Sequence, residues 1–430
     1  MKPKQHSPIR ALLGCIPVLS WLLGALAAVF LEAAYGNQFA QMLGLDKAPV
    51  MFGLQDILKD PAHAPASLGY VLVMYAVPVF LVALGSSGLC NRLASAMGTM
   101  HVAVPVVLHL LLAYLVLHVW TDLSDYRLVT VKFTLIAVLA TLSCNITNGY
   151  LGEFACSHPG FMALGAYVAS IFSMGLFANT ALYGEAILPA SMGHMMFPVG
   201  LVVGGIVACL GALIVAIPSF KTRGDYLAII SLAFLFIVKS SLENLEIVGG
   251  PRGMTGQPDY ATLPMVFGMV LLGIWVINNF VTSTLGKGLN AVRDDETAAE
   301  ALTVDTRRIK MIAFLMGAFW AGVAGGLYAH ALRFVNPSTF GVQKLAEILA
   351  MVYFGGLNSV YGSVVGAVSI SMLGEMLRPL EVLKWVFIPL LLIMVTLFRP
   401  TGLISFKDVN LRTLLGPRTG GNPAQAKGRD

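Results

Sequence analysis

Few side chains in this sequence could do chemistry, and most of those that could fall into three groups. Lys239, Glu243 and Glu246 stand four and three residues apart, so Lys239 and Glu243 can pair on one face of a helix and lower the cost of charge in an apolar setting. Glu153 and His158 sit in the glycine-punctuated stretch GYLGEFACSHPGFMALGAY at 149–167. The third group, RDDETAAEALTVDTRRIK at 293–310, sets acids ahead of bases. His330, Arg333 and Glu347 complete the conspicuous polar groups, and each suits a structural or interfacial role. The chemistry open to such groups is ion pairing and docking rather than bond making. No nucleophile stands with a base, no phosphate loop or Walker sequence is present, and Cys15, Cys90, Cys144, Cys156 and Cys209 are scattered without a CxxC pair. No metal, no catalytic residue and no cofactor bound by this chain are expected. The cysteines read as small buried residues. Asn145-Ile-Thr147 has the form of a glycosylation acceptor, but inside an apolar stretch it carries no meaning.

The elements that position these groups are membrane helices. Of 430 residues 57% are hydrophobic and only 11% charged, which excludes a soluble domain. A span needs roughly 20 apolar residues, and the sequence offers about 10–11 such stretches. The fold class expected is an all-α polytopic membrane protein. The run from Ala11 to Phe30 follows a basic start; it exceeds a signal-peptide core and many spans follow it, so it reads as a retained first span. Residues 36–67, with Asp46, Asp56, Asp60, Pro49, Pro61 and Pro65, read as an outer loop. Further spans are expected at 68–90, 98–120, 129–151, 160–178, 196–218, 225–246, 262–284 and 311–334.

With the N-terminus inside, Arg92, Lys221, Arg223, Lys287, Arg293, Arg307, Arg308 and Lys310 all fall on the cytoplasmic side. Positive inner loops also account for the net charge of +5, so no nucleic-acid partner is implied. The stretch 344–374 is broken by Gly355, Gly356, Asn358 and Gly362. It is either one long tilted helix, which leaves the basic tail outside, or two short segments that enter and return before a last span at 381–398. The second arrangement puts Arg399, Lys407, Arg412, Arg418, Lys427 and Arg429 in the cytoplasm and is preferred. Irregular backbone at membrane depth is buried in protein or lines a cavity, and interrupted segments mark transport sites. Residues 413–430 read as a disordered tail.

Within 285–329, Asp294 or Asp295 can cap a helix over 294–304 whose first turn holds Asp295 and Glu296 and whose apolar positions are Ala298, Ala301 and Leu302. Asp305 or Thr306 can cap the next helix, which opens on Arg307, Arg308 and Lys310 and continues through Gly317, Gly322, Gly325 and Gly326. An acidic, alanine-rich helix followed by RRIK and a glycine-punctuated membrane helix resembles the ATPase-docking loop of ABC-importer permeases, and more narrowly that of branched-chain amino acid permeases of the M-type. The family usually has glycine where this chain has Thr303, so a turn built differently is expected there. The resemblance implies that Arg293, Asp294, Asp295, Glu296, Ala298, Glu300, Ala301, Leu302, Arg307, Arg308 and Lys310 couple to an ATPase.

Other motifs follow in the same order as in that family. The 149–167 segment keeps His158, Phe161, Gly165 and Tyr167 but has Ala155 and Ser157 where the family prefers Ser and Gly. RGDYLAI at 223–229 is similar too, and Arg223 and Asp225 read as an interfacial pair or as a second ATPase contact. VGGPRGMTG at 248–256 resembles an external Gly-Gly loop, with Arg252 where Asn is common, and FGGLNSVYGSVVGA from 354 completes the set. Gly152, His158, Phe161, Gly165 and Tyr167, with Gly355, Gly356 and Gly362, are expected either to wall a translocation path or to pack helices closely, while Lys239 and Glu243 with Arg223 and Asp225 are structural or interfacial.

The resemblance covers roughly residues 130–400 of this sequence. It divides the chain into an N-terminal transmembrane extension at 1–128, a permease core at 129–400 and a cytoplasmic tail at 401–430. It implies a multi-pass subunit of the bacterial inner membrane with a core of two inverted-topology repeats, importing branched-chain or related hydrophobic amino acids by alternating access. The partners implied are a second homologous permease, two ABC ATPases that use ATP and Mg, and an external amino-acid-binding protein. A urea or short-amide importer stays open, as does an ion-coupled secondary transporter working through Lys239, Glu243 or Glu347.

Overall fold

A backbone inside a bilayer must satisfy its own hydrogen bonds, and the chain does so with helices. The computed structural model describes residues 14–98, 100–179, 183–220, 226–399 and 402–404 together with Gly416. Arg223, Asp225 and Lys221 lie outside the described residues, as do the basic positions of the tail beyond 404. Among the described residues nine helices are long and apolar enough to cross a membrane, and two shorter apolar helices cover Val360–Met376 and Val386–Val395. The only sheet among the described residues is a pair of two-residue strands. The chain divides into two compact units, one running to Leu128 with Met376–Leu380 and Gly416, the other comprising Val129–Glu375 and the described residues of Glu381–Lys407.

The first unit holds α1 (Val18–Met42), α2 (Leu54–Lys59), α3 (Ala64–Val71), α4 (Val77–Gly98) and α5 (Ala103–Thr121), with a π-turn at Leu72–Ala76 joining α3 to α4. The expected outer loop at 36–67 is therefore corrected: α1 extends to Met42, and most of the remainder is helical. Pro61 and Pro65 do not break these helices because they stand in first turns, where a missing N–H leaves no bond unmade. Asp60 caps the turn begun by Pro61, its carboxylate accepting from the Ala62 amide at 3.0 Å, and Pro65 opens α3.

One polar network is buried in this unit. Arg127 donates to both oxygens of Glu32 on α1, at 2.8 and 3.0 Å, and the two side chains are 4% and 1% exposed. The Tyr70 hydroxyl donates to the same carboxylate at 3.3 Å, Tyr75 donates to it as well, and the Trp120 indole donates to Tyr75 at 3.1 Å. The Arg127 guanidinium also lies 4.9 Å from the Trp120 ring centre.

The second unit takes over within α6 (Asp125–Asn145), which ends in a π-turn at Ile146–Tyr150. It continues with α7 (His158–Phe177), α8 (Gly193–Ser219), α9 (Tyr226–Asn244), β1 (Met254–Thr255), α10 (Leu263–Thr282), α11 (Thr284–Asp294), α12 (Glu296–Ala301), α13 (Thr306–Leu332), β2 (Phe334–Val335), α14 (Val342–Gly355), α15 (Val360–Met376) and α16 (Lys384–Phe398). Strands β1 and β2 pair antiparallel, with Met254 opposite Val335 and Thr255 opposite Phe334. At the centre α7, α8 and α13 meet through small residues. A Cβ on Gly165 would strike the backbone of Gly322, and one on Gly204 would come within 2.8 Å of the Gly165 carbonyl. Helices in lipid gain by such close backbone contact because apolar surface is not driven together there as it is in water.

The stretch at 344–374 is two helices, not one. α14 and α15 run antiparallel: a Cβ on Gly355 would meet the backbone of Gly362 and Gly366, and one on Gly366 that of Met351. Gly356 turns the chain with φ 127°, a conformation that L side chains rarely adopt, and Asn358 follows at φ 57°. Residues beyond α16 return to this turn, where Leu403 N donates to Phe354 O at 3.1 Å and Ile404 N to Gly355 O at 2.9 Å.

Candidate functional site

Two places in the second unit gather charged and polar side chains. The first is the elbow between α10 and α13. It holds a helix that sequence reasoning missed, since the stretch after Thr282 has too few apolar residues to advertise one. α11 starts at the Ser283 cap, whose hydroxyl accepts from Gly286 N at 3.4 Å, and it buries Gly286, Leu289 and Val292 on one face. The expected docking helix over 294–304 is shortened to Glu296–Ala301, because Arg293 and Asp294 belong to the end of α11. Asp295 caps α12 by accepting from Ala298 N at 3.0 Å, and Asp305 caps α13 by accepting from Arg308 N at 3.0 Å. Both caps resolve the alternatives that the sequence left open.

Between α12 and α13, Thr303 holds a left-handed φ of 62°. The turn is thus not built differently from one that suits glycine; threonine occupies the conformation glycine would take freely. Only Ala299 of α12 is buried, and Ala298, Ala301 and Leu302 face outward, Leu302 at 76% exposure. Arg307 and Arg308 are exposed as well. Glu300 accepts from the Thr306 hydroxyl at 3.1 Å, and Arg293 pairs with Asp294 at 2.7 Å.

Lys310 ties this elbow together. Its ammonium donates to Glu296 of α12 at 2.9 Å and to Glu153, in the segment between α6 and α7, at 2.6 Å. Burial disfavours a lone ammonium, but two carboxylates outweigh that penalty. Gly152, expected to wall a path, lies instead against the stem of Arg293: at φ 77° it leaves no room for a Cβ, which would sit 2.5 Å from the Arg293 Cγ. Helices α11, α12 and α13 and the lead into α7 are thus joined through Lys310, Glu153 and the Gly152–Arg293 contact. Glu153 and Lys310 are 157 residues apart, so no spacing rule could have paired them.

The other expected path residues are tightly packed. His158 and Phe161 are buried and meet edge to face at 5.9 Å, Phe161 also packs on Phe234 and Phe314, Tyr167 is buried, and Gly165 abuts Gly322. Gly355 ends α14, Gly356 lies in the turn and Gly362 stands in the first turn of α15, where the two arms of the hairpin pack together. Asn145, dismissed on sequence, is buried against that turn: its amide donates to Ser359 O at 3.1 Å and to the Ser363 hydroxyl at 2.6 Å. A Cβ on Gly149 would approach Asn358 N to 2.9 Å, so the π-turn of α6 also seats on the hairpin. Such π-turns often mark functional sites. Lys239 and Glu243 pair on α9 at 3.8 Å. His330 is buried with Nε2 2.7 Å from the Ser173 hydroxyl and Nδ1 2.8 Å from Gly326 O, and Arg333 donates to Gln257 O at 3.2 Å, so both serve structure.

The second place is a cavity of about 330 Å³ bordered by α6, α13, α14, α15 and α16, with Met162 of α7. Its polar lining includes Thr130, Thr134, Tyr328, Lys344, Glu347, Ser371 and Glu375, and none of the eight expected path residues borders it. Lys344 and Glu347 pair at 3.0 Å, and the Lys344 ammonium stands 5.3 Å from the Tyr328 ring centre.

A family model described as the permease component of branched-chain amino acid transport systems matches residues 126–397. The chain is similar to the high-affinity branched-chain amino acid transport system permease protein LivM of Escherichia coli, with 28% identity over 322 residues, 67% of this chain and 72% of that one. It is also similar to the permease protein LivH of Salmonella typhimurium, at 24% identity over 66% of this chain and 93% of that one. A third similar protein is BraD of Pseudomonas aeruginosa, at 28% identity over 38% and 54%. No solved structure gives a significant match.

Proposed function

The chain belongs to the family of permease components of branched-chain amino acid transport systems, and from that premise we propose that it is a membrane-spanning subunit of an ABC importer for leucine, isoleucine, valine or a related hydrophobic amino acid. It works in a bacterial inner membrane with its N-terminus, Lys287 and C-terminal tail in the cytoplasm. Its partners are a second homologous permease, two ATPases that hydrolyse ATP with Mg, and an external binding protein. The observation that carries the reading is the Lys310 junction, where one ammonium holds the helix offered to the ATPase and the segment that leads into α7. ATP binding in a partner pushes α12 through its exposed Ala298, Ala301 and Leu302; Lys310 and Glu153 pass the push to α7, and the close-packed glycine helices move as one body. Such rigid-body rocking is how alternating access is commonly achieved. Gly355 and Gly362 let the two arms of the α14–α15 hairpin pack backbone to backbone, so the hairpin moves as one piece beside the path.

The complex reconstituted in proteoliposomes with its binding protein should take up radiolabelled leucine and valine, and not urea. Ala301→Arg places a bulky charge where α12 meets its partner, and burying an unpaired charge typically costs roughly 3–5 kcal/mol. ATP-driven uptake should fall at least tenfold and the ATPases should be lost on purification, while the membrane subunits stay folded. Uptake at the wild-type rate would mean that α12 is only a solvated turn.

A further inference from the structure

We propose that the cavity bordered by α6, α13, α14, α15 and α16 is a subsite for a zwitterionic amino acid, held by Lys344 through its carboxylate and by Glu347 through its ammonium. The inference rests on the importer reading and deepens it by naming where this chain contacts the substrate. At about 330 Å³ the cavity stands at the small end of the range for small-molecule sites, roughly 300–1,000 Å³, so it suits one compact ligand. Lys344 stands in the first turn of α14 with Glu347 one turn on, so the pair borders the space from one helix. Ile348, Met351 and Ile370 also line it, surfaces that match a branched aliphatic side chain.

The pair differs from an ordinary ion pair on a helix surface because it faces a cavity while being mostly shielded, with Lys344 17% and Glu347 33% exposed. Lys344 and Glu347 neutralise each other across 3.0 Å. A zwitterion brings a second, oppositely ordered charge pair, so four charges can alternate and binding leaves the net charge of the cavity unchanged. The substrate adds no unpaired charge, which is the condition for carrying charge through an apolar environment. Tyr328 offers its ring face to a cation, now to Lys344 and on binding to the substrate ammonium beside it. A neutral amide of the size of urea would satisfy neither charge and would leave the aliphatic surface bare.

The test uses the complete complex with its binding protein in proteoliposomes. Lys344→Gln and Glu347→Gln should each lower leucine uptake tenfold or more, with the ATPase subunits still retained on purification. The double variant Lys344→Glu with Glu347→Lys keeps an ion pair but reverses its order, so it should not restore uptake. Restoration to the wild-type rate would show that the pair is only structural and overturn the subsite. A second measurement leaves the pair intact: in Ser371→Cys, saturating leucine should slow maleimide modification of the new cysteine, read on its peptide by mass spectrometry, and urea should not. Labelling unchanged by leucine overturns the proposal. Failure of the wild-type complex to take up leucine would instead overturn the importer reading itself.

Discussion

Two ion pairs, Glu32–Arg127 in the first unit and Lys344–Glu347 in the second, are built in opposite ways. Glu32 and Arg127 make two hydrogen bonds to each other, two tyrosines donate to the carboxylate, and an indole covers the guanidinium; both side chains are almost wholly buried. Lys344 and Glu347 share one hydrogen bond and border a cavity. A planar guanidinium grips a carboxylate bidentately and resists exchange, whereas an ammonium is a compact charge with three rotatable donors that can trade partners. The first pair is therefore a lock and the second a socket. The contrast fits the unit that holds each: the family match begins at residue 126, almost where the second unit begins at Val129.

The comparison breaks most sharply on the lock. Arg127→Leu leaves the Glu32 carboxylate buried without a counter-charge, a loss of roughly 3–5 kcal/mol. The variant should melt well below the wild type in detergent and give poor yields, whereas removing both charges with Glu32→Leu and Arg127→Leu should recover much of the loss, since the charges then need no desolvation. Melting of the Arg127 variant at the wild-type temperature would remove the distinction between lock and socket.

The next effect is smaller and belongs to the elbow. Lys310→Gln keeps a donor but takes away the charge that serves Glu153 and Glu296, each bond of this kind being worth roughly 1.5–3 kcal/mol. Uptake should drop about tenfold or more, the change that ~1.4 kcal/mol produces, while the complex still assembles. The ratio of ATP hydrolysed to leucine imported should rise. A proportional fall in both would place Lys310 in assembly rather than in transmission.

How much of this could be read from the sequence varies with the range of the interaction. The existence of the long spans, a cap at Asp294 or Asp295 and another at Asp305 or Thr306, and the preferred split of 344–374 are local matters of polarity, turn residues and glycine that the chain displays. The Glu32–Arg127, Glu153–Lys310 and Asn145–Ser363 contacts join residues 95, 157 and 218 positions apart. No periodicity links such pairs. α11 was hidden because only Leu289 and Val292 mark its inner face besides a glycine. The socket was half visible: Glu347 stands out as an acid on a broken apolar element, but Lys344 gains its meaning only when Tyr328 and the cavity are set beside it.

The smallest effect sharpens the comparison at a site where no charge is involved. Thr303 connects α12 to α13 with a left-handed backbone, and a β-branched residue is among the least suited to that region. Releasing it with Thr303→Gly removes local strain, which for a non-glycine residue in this conformation costs of order 1–2 kcal/mol. Glycine returns part of that gain, roughly 0.5–1 kcal/mol, because it has more freedom to lose on folding. The net change should be a stabilisation of about 1 kcal/mol or less, seen as a rise of a few degrees at most in the melting temperature. Uptake is the more telling readout. Thr303 is exposed and sets the angle at which α12 meets α13, so a looser turn should weaken transmission through Lys310 even as the fold gains stability. Higher stability with lower uptake per ATP would show that the strained turn keeps the elbow stiff; higher stability with unchanged uptake would leave Lys310 and its two acids as the whole of the connection.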